Sequence, residues 1–132
     1  MIQAQNKAGK VHVDRVSYES SDWSVADILS QFSCVLYLQL PKTGGELEFY
    51  QRLWKPKDVD FEFSKDPKVR TGVNEKLVEQ CERFKFFPKT GDLLIFNTTY
   101  YHRVLESSSE EFRITSLSFL GVNRQNEIVF FM

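Results

Sequence analysis

Val11-His12-Val13-Asp14 alternates apolar and polar side chains, the period of a β-strand. In a strand, residues two apart point to the same face. His12 and Asp14 can therefore present one nitrogen and one oxygen to a shared point. The chain has only one other histidine, His102, far along the sequence. Ten residues separate His102 from Arg113, and Arg113-Ile114-Thr115 repeats the spacing of two. A guanidinium and a hydroxyl thus share a face of a second strand.

Outward from these positions the chain reads mostly as short strands joined by turns. Phe32 to Leu40 is rich in β-branched and aromatic residues and reads as a buried strand. Pro41-Lys42-Thr43-Gly44-Gly45 breaks it, and Glu46 to Gln51 alternates again. Arg83 to Phe87, Asp92 to Asn97, His102 to Glu106, Phe112 to Gly121 and Glu127 to Phe131 are further strand candidates. Asp22 to Ser30 reads as the one short helix, with Asp22 near its N-cap and Val25, Ile28 and Leu29 on one side. Gln51 to Glu82 is the least regular stretch. About residues 52–82 form a long insertion, with a helical turn expected around Asn74 to Gln80. Seven or eight strands in 132 residues imply an antiparallel sandwich or barrel, as a single domain spanning residues 1–132.

Composition narrows the class. Seventeen basic and 18 acidic residues leave a formal net charge of −1, so neither nucleic acid nor an anionic membrane is expected as a partner. No apolar run approaches the ~20 residues of a membrane helix. Met1 to Lys10 is polar and lacks a signal-peptide centre. Cys34 and Cys81 read as two reduced thiols of a cytoplasmic protein. Twelve phenylalanines point to a core rich in rings.

Two histidines and a carboxylate on one face are the ligand set of non-haem Fe(II) oxygenases, which leaves coordination positions open. Arg113 lies between Phe112 and Ile114 in an apolar strand and requires a buried partner. A dicarboxylate gripped through both oxygens meets that requirement.

The whole pattern, HxD followed by a distant His and Arg-x-Thr, resembles the 2-oxoglutarate/Fe(II)-dependent oxygenase superfamily. Leu36-Tyr37-Leu38-Gln39 with Gly44-Gly45-Glu46-Leu47 is similar to a segment of its prolyl-hydroxylase-like branch. Pro88-Lys89-Thr90-Gly91-Asp92-Leu93-Leu94-Ile95-Phe96 is similar to the turn and strand before the distal histidine. The resemblance implies a mainly β fold, the double-stranded β-helix or jelly roll. It implies Fe(II) held by His12, Asp14 and His102. It implies 2-oxoglutarate bound by Arg113 and Thr115, with Tyr37 adding a hydrogen bond, and O2 as the oxidant. Related halogenases carry a small residue in place of the carboxylate, so Asp14 implies hydroxylation of an unactivated C–H bond. Manganese, cobalt, nickel or zinc can occupy such a site as well.

The expected substrate is a small molecule such as an amino acid or a natural-product intermediate. Arg52, Trp54 and Tyr100 are the candidate contacts, with Tyr50, Arg70 and Tyr101 beside them. The competing readings are a prolyl-type protein hydroxylase, a non-catalytic jelly-roll module that retains the metal site, and a simple cupin. Relatives place a sizeable region before HxD that supplies the first core strand, and eleven residues precede His12 here. The chain is then expected to be a fragment, a product trimmed by evolution, or a subunit that borrows that strand from a partner, and an exposed sheet edge points to a homodimer.

Overall fold

The computed structural model describes residues 1–66, 72–107 and 110–132. Eight strands carry the fold: β1 (Ile2–Gln5), β2 (Ile28–Gln39), β3 (Leu47–Leu53), β4 (Arg83–Phe86), β5 (Leu93–Asn97), β6 (Tyr100–Val104), β7 (Arg113–Asn123) and β8 (Ile128–Phe131). They form two antiparallel sheets. The larger runs β1-β7-β2-β5, with β8 also paired to β7; the smaller runs β4-β3-β6. Residues 9–14 extend the smaller sheet along β6. Gly9 N–H donates to Val104 O at 2.9 Å, His12 and His102 exchange both backbone bonds at 3.0 Å, and Asp14 N–H donates to Thr98 O at 3.0 Å.

The two sheets face each other through aromatic contacts. The Phe49 ring of β3 meets Phe96 of β5 edge-on with centroids 5.0 Å apart, and Tyr37 of β2 lies 6.2 Å from Phe86 of β4. The expected mainly β jelly roll is the fold observed. On β2 the inward set is Gln31, Ser33, Val35 and Tyr37, and on β7 it includes Arg113, Thr115 and Phe119, all buried. These are spacings of two, so the strand period alone decides which side chains enter the interior. The outward set of β2 is apolar as well, but Leu36 and Leu38 are exposed. The strand read as buried is fully covered on one face, while on the other Cys34 is buried and Leu36 and Leu38 are exposed.

One expectation is corrected. The helix expected at Asp22 to Ser30 is absent. The one short helix, α1, spans Val16–Glu19, and Ile28 to Ser30 already belong to β2. Ile28 and Ser30 pair with Asn123 and Val122, so the sheet satisfies a backbone whose apolar spacing also suits a helix. Ahead of the His12 segment, β1 pairs with β7 in the register Gln3↔Thr115 and Gln5↔Arg113.

The described part of the insertion contributes to a buried core. Val73 and Val78 pack with Val11, Val13, Tyr50 and Tyr101 into a core on the back of the smaller sheet. The fully buried Asp58 organises it, accepting from Arg52 Nη2 at 2.7 Å, Lys55 N at 3.0 Å and Tyr101 Oη at 3.1 Å. Burial, then the nearby Asp58 carboxylate, pushes the Tyr101 phenol well above its ordinary range. A 3₁₀ turn at Glu75–Leu77, with the Asn74 side chain accepting from Lys76 N, lies within the turn expected at Asn74 to Gln80. No helix among the described residues is long and apolar enough to cross a membrane.

Gly44 holds the loop before β3 against residue 107. Its φ is +81°, and a Cβ there would lie 2.2 Å from the backbone oxygen of Glu106 and 2.7 Å from Ser107 Cα. Gly44→Ala combines backbone strain with a clash against rigid main chain, so it is expected to cost about 3 kcal/mol or more. Urea unfolding checks this; a loss under ~1 kcal/mol would contradict the described close approach.

Candidate metal centre and its chamber

His12, Asp14 and His102 converge as their spacing requires. The reciprocal backbone bonds between His12 and His102 set the two imidazoles side by side, with ring centroids 4.4 Å apart. His102 Nε2 lies 3.6 Å from Asp14 Oδ2, and one ligand atom from each of the three residues falls within 4.8 Å of the others. An ion about 2 Å from each would draw the three atoms to within about 4 Å of one another, so binding it closes the widest pair by roughly an ångström or more. The other ring nitrogens are tied back. His12 Nδ1 lies 2.8 Å from Lys10 O, and His102 Nδ1 lies 2.8 Å from Tyr100 O. A carbonyl accepts only from a protonated nitrogen, so both Nε2 lone pairs are turned to the shared point.

Asp14 and His102 are buried, and His12 is partly exposed. Thr98 locks the strand that carries Asp14: its hydroxyl donates to Asp14 O at 2.9 Å and approaches Gln31 O at 3.2 Å. Phe96 closes one flank of His102, edge-on with centroids 5.0 Å apart.

The triad opens into a chamber of about 210 Å³, lined also by Val35, Leu47, Leu117 and Arg113. Arg113 in this lining belongs to a group of buried polar atoms without partners. Arg113 Nε, Tyr37 Oη and Thr115 Oγ1 are all buried and make no hydrogen bond. The Arg113 guanidinium sits 5.1 Å from the centroid of the Tyr37 ring, and Arg113 has no ion pair among the described residues. Burial pushes the Tyr37 phenol above its ordinary value, and the guanidinium beside it partly offsets this. A buried donor left unpaired costs about 1–3 kcal/mol, and a buried charge more. Three such groups, one of them in the chamber wall, are donors that an anion with several acceptor oxygens could satisfy. Gln3 and Gln5 of β1 line the same chamber. The sequence reading missed them, although Ile2-Gln3-Ala4-Gln5 carries the alternation that marks a strand.

The residues read as substrate contacts lie elsewhere. Arg52 is committed to Asp58 on the back of the smaller sheet. Trp54 packs over the Arg15 guanidinium at 4.2 Å and beside Tyr18 at 5.5 Å, around a separate cavity. Tyr100 lines a third cavity with Phe49, Phe84 and Phe96. Tyr50 donates to Glu48 and is pushed up to about 12 by burial and that bond, and Tyr101 serves Asp58. Arg70 lies outside the described residues.

The unpaired hydroxyls give a test free of any ligand. Thr115→Val and Tyr37→Phe remove groups that make no hydrogen bond. Unfolding of the ligand-free protein is therefore expected to change by less than about 1 kcal/mol, in either direction. A loss of 2 kcal/mol or more from either variant would show that the hydroxyl is satisfied within the fold.

Comparison with known proteins agrees with this geometry. A curated relative, the leucinostatins biosynthesis cluster protein S of Purpureocillium lilacinum, is 28% identical over 123 residues, covering 92% of this chain and 50% of its own. Crystal structures of an N-substituted L-amino acid dioxygenase from Burkholderia ambifaria, one in complex with alpha-KG, share the fold. Their TM-score is 0.71 at 15% identity, over all of this chain and 52% of theirs. The chain thus spans about half the length of the relatives it matches. The family described as carrier-protein-independent halogenase WelO5 matches residues 10–132. With His12, Asp14 and His102 converging beside Arg113 and a family match over nearly its whole length, the chain belongs to the WelO5 family of iron- and 2-oxoglutarate-dependent enzymes.

Proposed function

We propose that this chain carries the catalytic core of an Fe(II)- and 2-oxoglutarate-dependent oxygenase that hydroxylates an unactivated C–H bond of a small molecule. Asp14 is the observation that carries this reading. It adds a carboxylate to the two histidines, where the halogenases that the motifs resemble have a small residue. With that position filled, a halide has no vacated place beside the metal, and hydroxylation is favoured over halogenation even within a family described by a halogenase.

In this reading His12, Asp14 and His102 hold the iron. Lys10 O and Tyr100 O fix the tautomer and the aim of the two imidazoles. Arg113 takes the distal carboxylate of 2-oxoglutarate, with Thr115 and Tyr37 donating hydrogen bonds to it. The ligand then answers these unpaired atoms. When bound, iron and 2-oxoglutarate supply the oxidation: one oxygen atom of O2 enters succinate as CO2 leaves, and the other enters the substrate C–H bond. The protein holds these groups in line, and Phe96, Val35 and Leu117 keep water from the chamber. The named activities of the relatives, an N-substituted L-amino acid dioxygenase and a leucinostatins biosynthesis protein, favour an amino-acid-derived substrate. The free thiols Cys34 and Cys81 fit the reducing cytoplasm.

The test supplies Fe(II), 2-oxoglutarate, O2, chloride and a panel of N-substituted L-amino acids, and reads succinate and product mass. Hydroxylated product in step with succinate is expected, without chlorinated product. Asp14→Gly removes one of three metal ligands and is expected to lower hydroxylation by more than about 100-fold, since even partners of such ligands are worth 10–100-fold. Chlorination by the unaltered protein would overturn the assignment of Asp14.

A further inference from the structure

Strand β1 places two amides in the wall of the metal chamber. It pairs with the first part of β7 in the register Gln3↔Thr115 and Gln5↔Arg113. Directly opposed residues of an antiparallel pair share a face of the sheet. Arg113 and Thr115 point inward and are buried, so Gln3 and Gln5 point inward with them. Both line the chamber that His12, Asp14, His102 and Arg113 also line. Ile2 and Ala4, the alternate residues of β1, are exposed on the outer face.

The two amides have different occupations. Gln5 Nε2 donates to Lys7 O at 2.9 Å, and a side chain on Gly9 would meet that nitrogen at 3.4 Å. Gly9 in turn donates its N–H to Val104 O of β6 at 2.9 Å. Gln5 therefore holds the turn that carries the chain from the larger sheet to the smaller one. Gln3 has no such task. Its side chain makes no hydrogen bond among the described residues, and it is half-buried in the chamber wall, where Thr115 beside it is fully buried. Arg113 is its diagonal neighbour across the strand pair, a separation of about 7–8 Å that long side chains span.

An amide carries two N–H donors and no charge. A carboxylate offers about four acceptor positions, and a guanidinium that grips it face-on fills two. A free amide next to such a guanidinium, and open to the same chamber, is placed to fill a further one. We infer that Gln3 is a recognition residue for the dicarboxylate: its amide donates to the carboxylate that Arg113 holds, and so favours a ligand with a second carboxylate over one that ends in a methyl group. The inference rests on the oxygenase reading for the identity of the ligand, and its test reads binding alone.

The test is calorimetric titration of the Mn(II)-loaded chain with 2-oxoglutarate and with 2-oxopentanoate. The two share the oxo-acid end and differ only in the distal carboxylate. Gln3→Leu is expected to weaken 2-oxoglutarate about tenfold, the worth of one hydrogen bond to a charged group, and to leave 2-oxopentanoate within about twofold. Gln3→Glu keeps the shape of the side chain and replaces the donor with an anion, so it is expected to weaken 2-oxoglutarate further still, again selectively. Binding of 2-oxopentanoate reports in each variant that the fold and the metal site are intact. Unchanged binding of 2-oxoglutarate in both variants, or a loss shared equally by the two oxo acids, would overturn the inference. The two readings fail separately. Binding of 2-oxoglutarate that Arg113→Ala abolishes and Gln3→Leu leaves unchanged removes the role of Gln3 alone. Selective weakening by Gln3→Leu, in a chain that forms no succinate with Fe(II) and O2, removes the oxygenase reading alone. Binding of neither oxo acid by the unaltered chain removes both.

Discussion

The pair of backbone hydrogen bonds exchanged by His12 and His102 is the constraint on which the site depends. Residues ninety apart in sequence become direct neighbours through it, and their imidazoles have no other arrangement than side by side. Asp14 follows by the period of the strand, held at its far end by Thr98. The metal site is therefore built on main chain, not on side chains searching for one another. The insertion reinforces it from behind: the core around Val11, Val13, Tyr50 and Tyr101 fastens the strand bearing the ligands to the smaller sheet. A mutation in that core would loosen the ligand geometry without touching a ligand.

The interior holds two unlike groups: Arg113, Thr115 and Tyr37 with atoms left unpaired, and the three converging metal-ligand candidates. Unpaired buried donors lower the stability of an empty protein, and so store free energy that a ligand recovers on binding. This explains why an apolar strand tolerates an arginine at all. Stability is traded for affinity where a dicarboxylate fits.

Much of this was legible in the sequence because it rests on a period of two. His12 with Asp14, and Arg113 with Thr115, announce shared faces by their spacing alone. Strands β2 to β8 were legible in the same way, from alternation punctuated by Pro41, Gly44, Gly45, Pro88 and Gly91. Three things were not. Ile2-Gln3-Ala4-Gln5 is short and half polar, so its pattern is faint until β7 pairs with it. Asp22 to Ser30 has apolar residues at spacings that suit helix and strand alike, and pairing with β7 decided between them. The insertion hides its role because Val73 and Val78 are lone apolar residues in a charged stretch, with partners distant in sequence. Arginine, tryptophan and tyrosine are the chemistry one looks for in a substrate site, and here Arg52, Trp54 and Tyr101 pack and bond around the insertion and α1.

Everything proposed for the site requires that iron and 2-oxoglutarate share the chamber between His102 and Arg113. The direct measurement is the visible metal-to-ligand charge-transfer absorption of the folded protein with Fe(II) and 2-oxoglutarate under anaerobic conditions. The geometry predicts a band in the unaltered chain, its loss in His102→Ala, and its weakening in Arg113→Ala, where only the distal grip is removed. A folded protein that binds Fe(II) yet shows no band would contradict it, as would a band indifferent to the loss of Arg113.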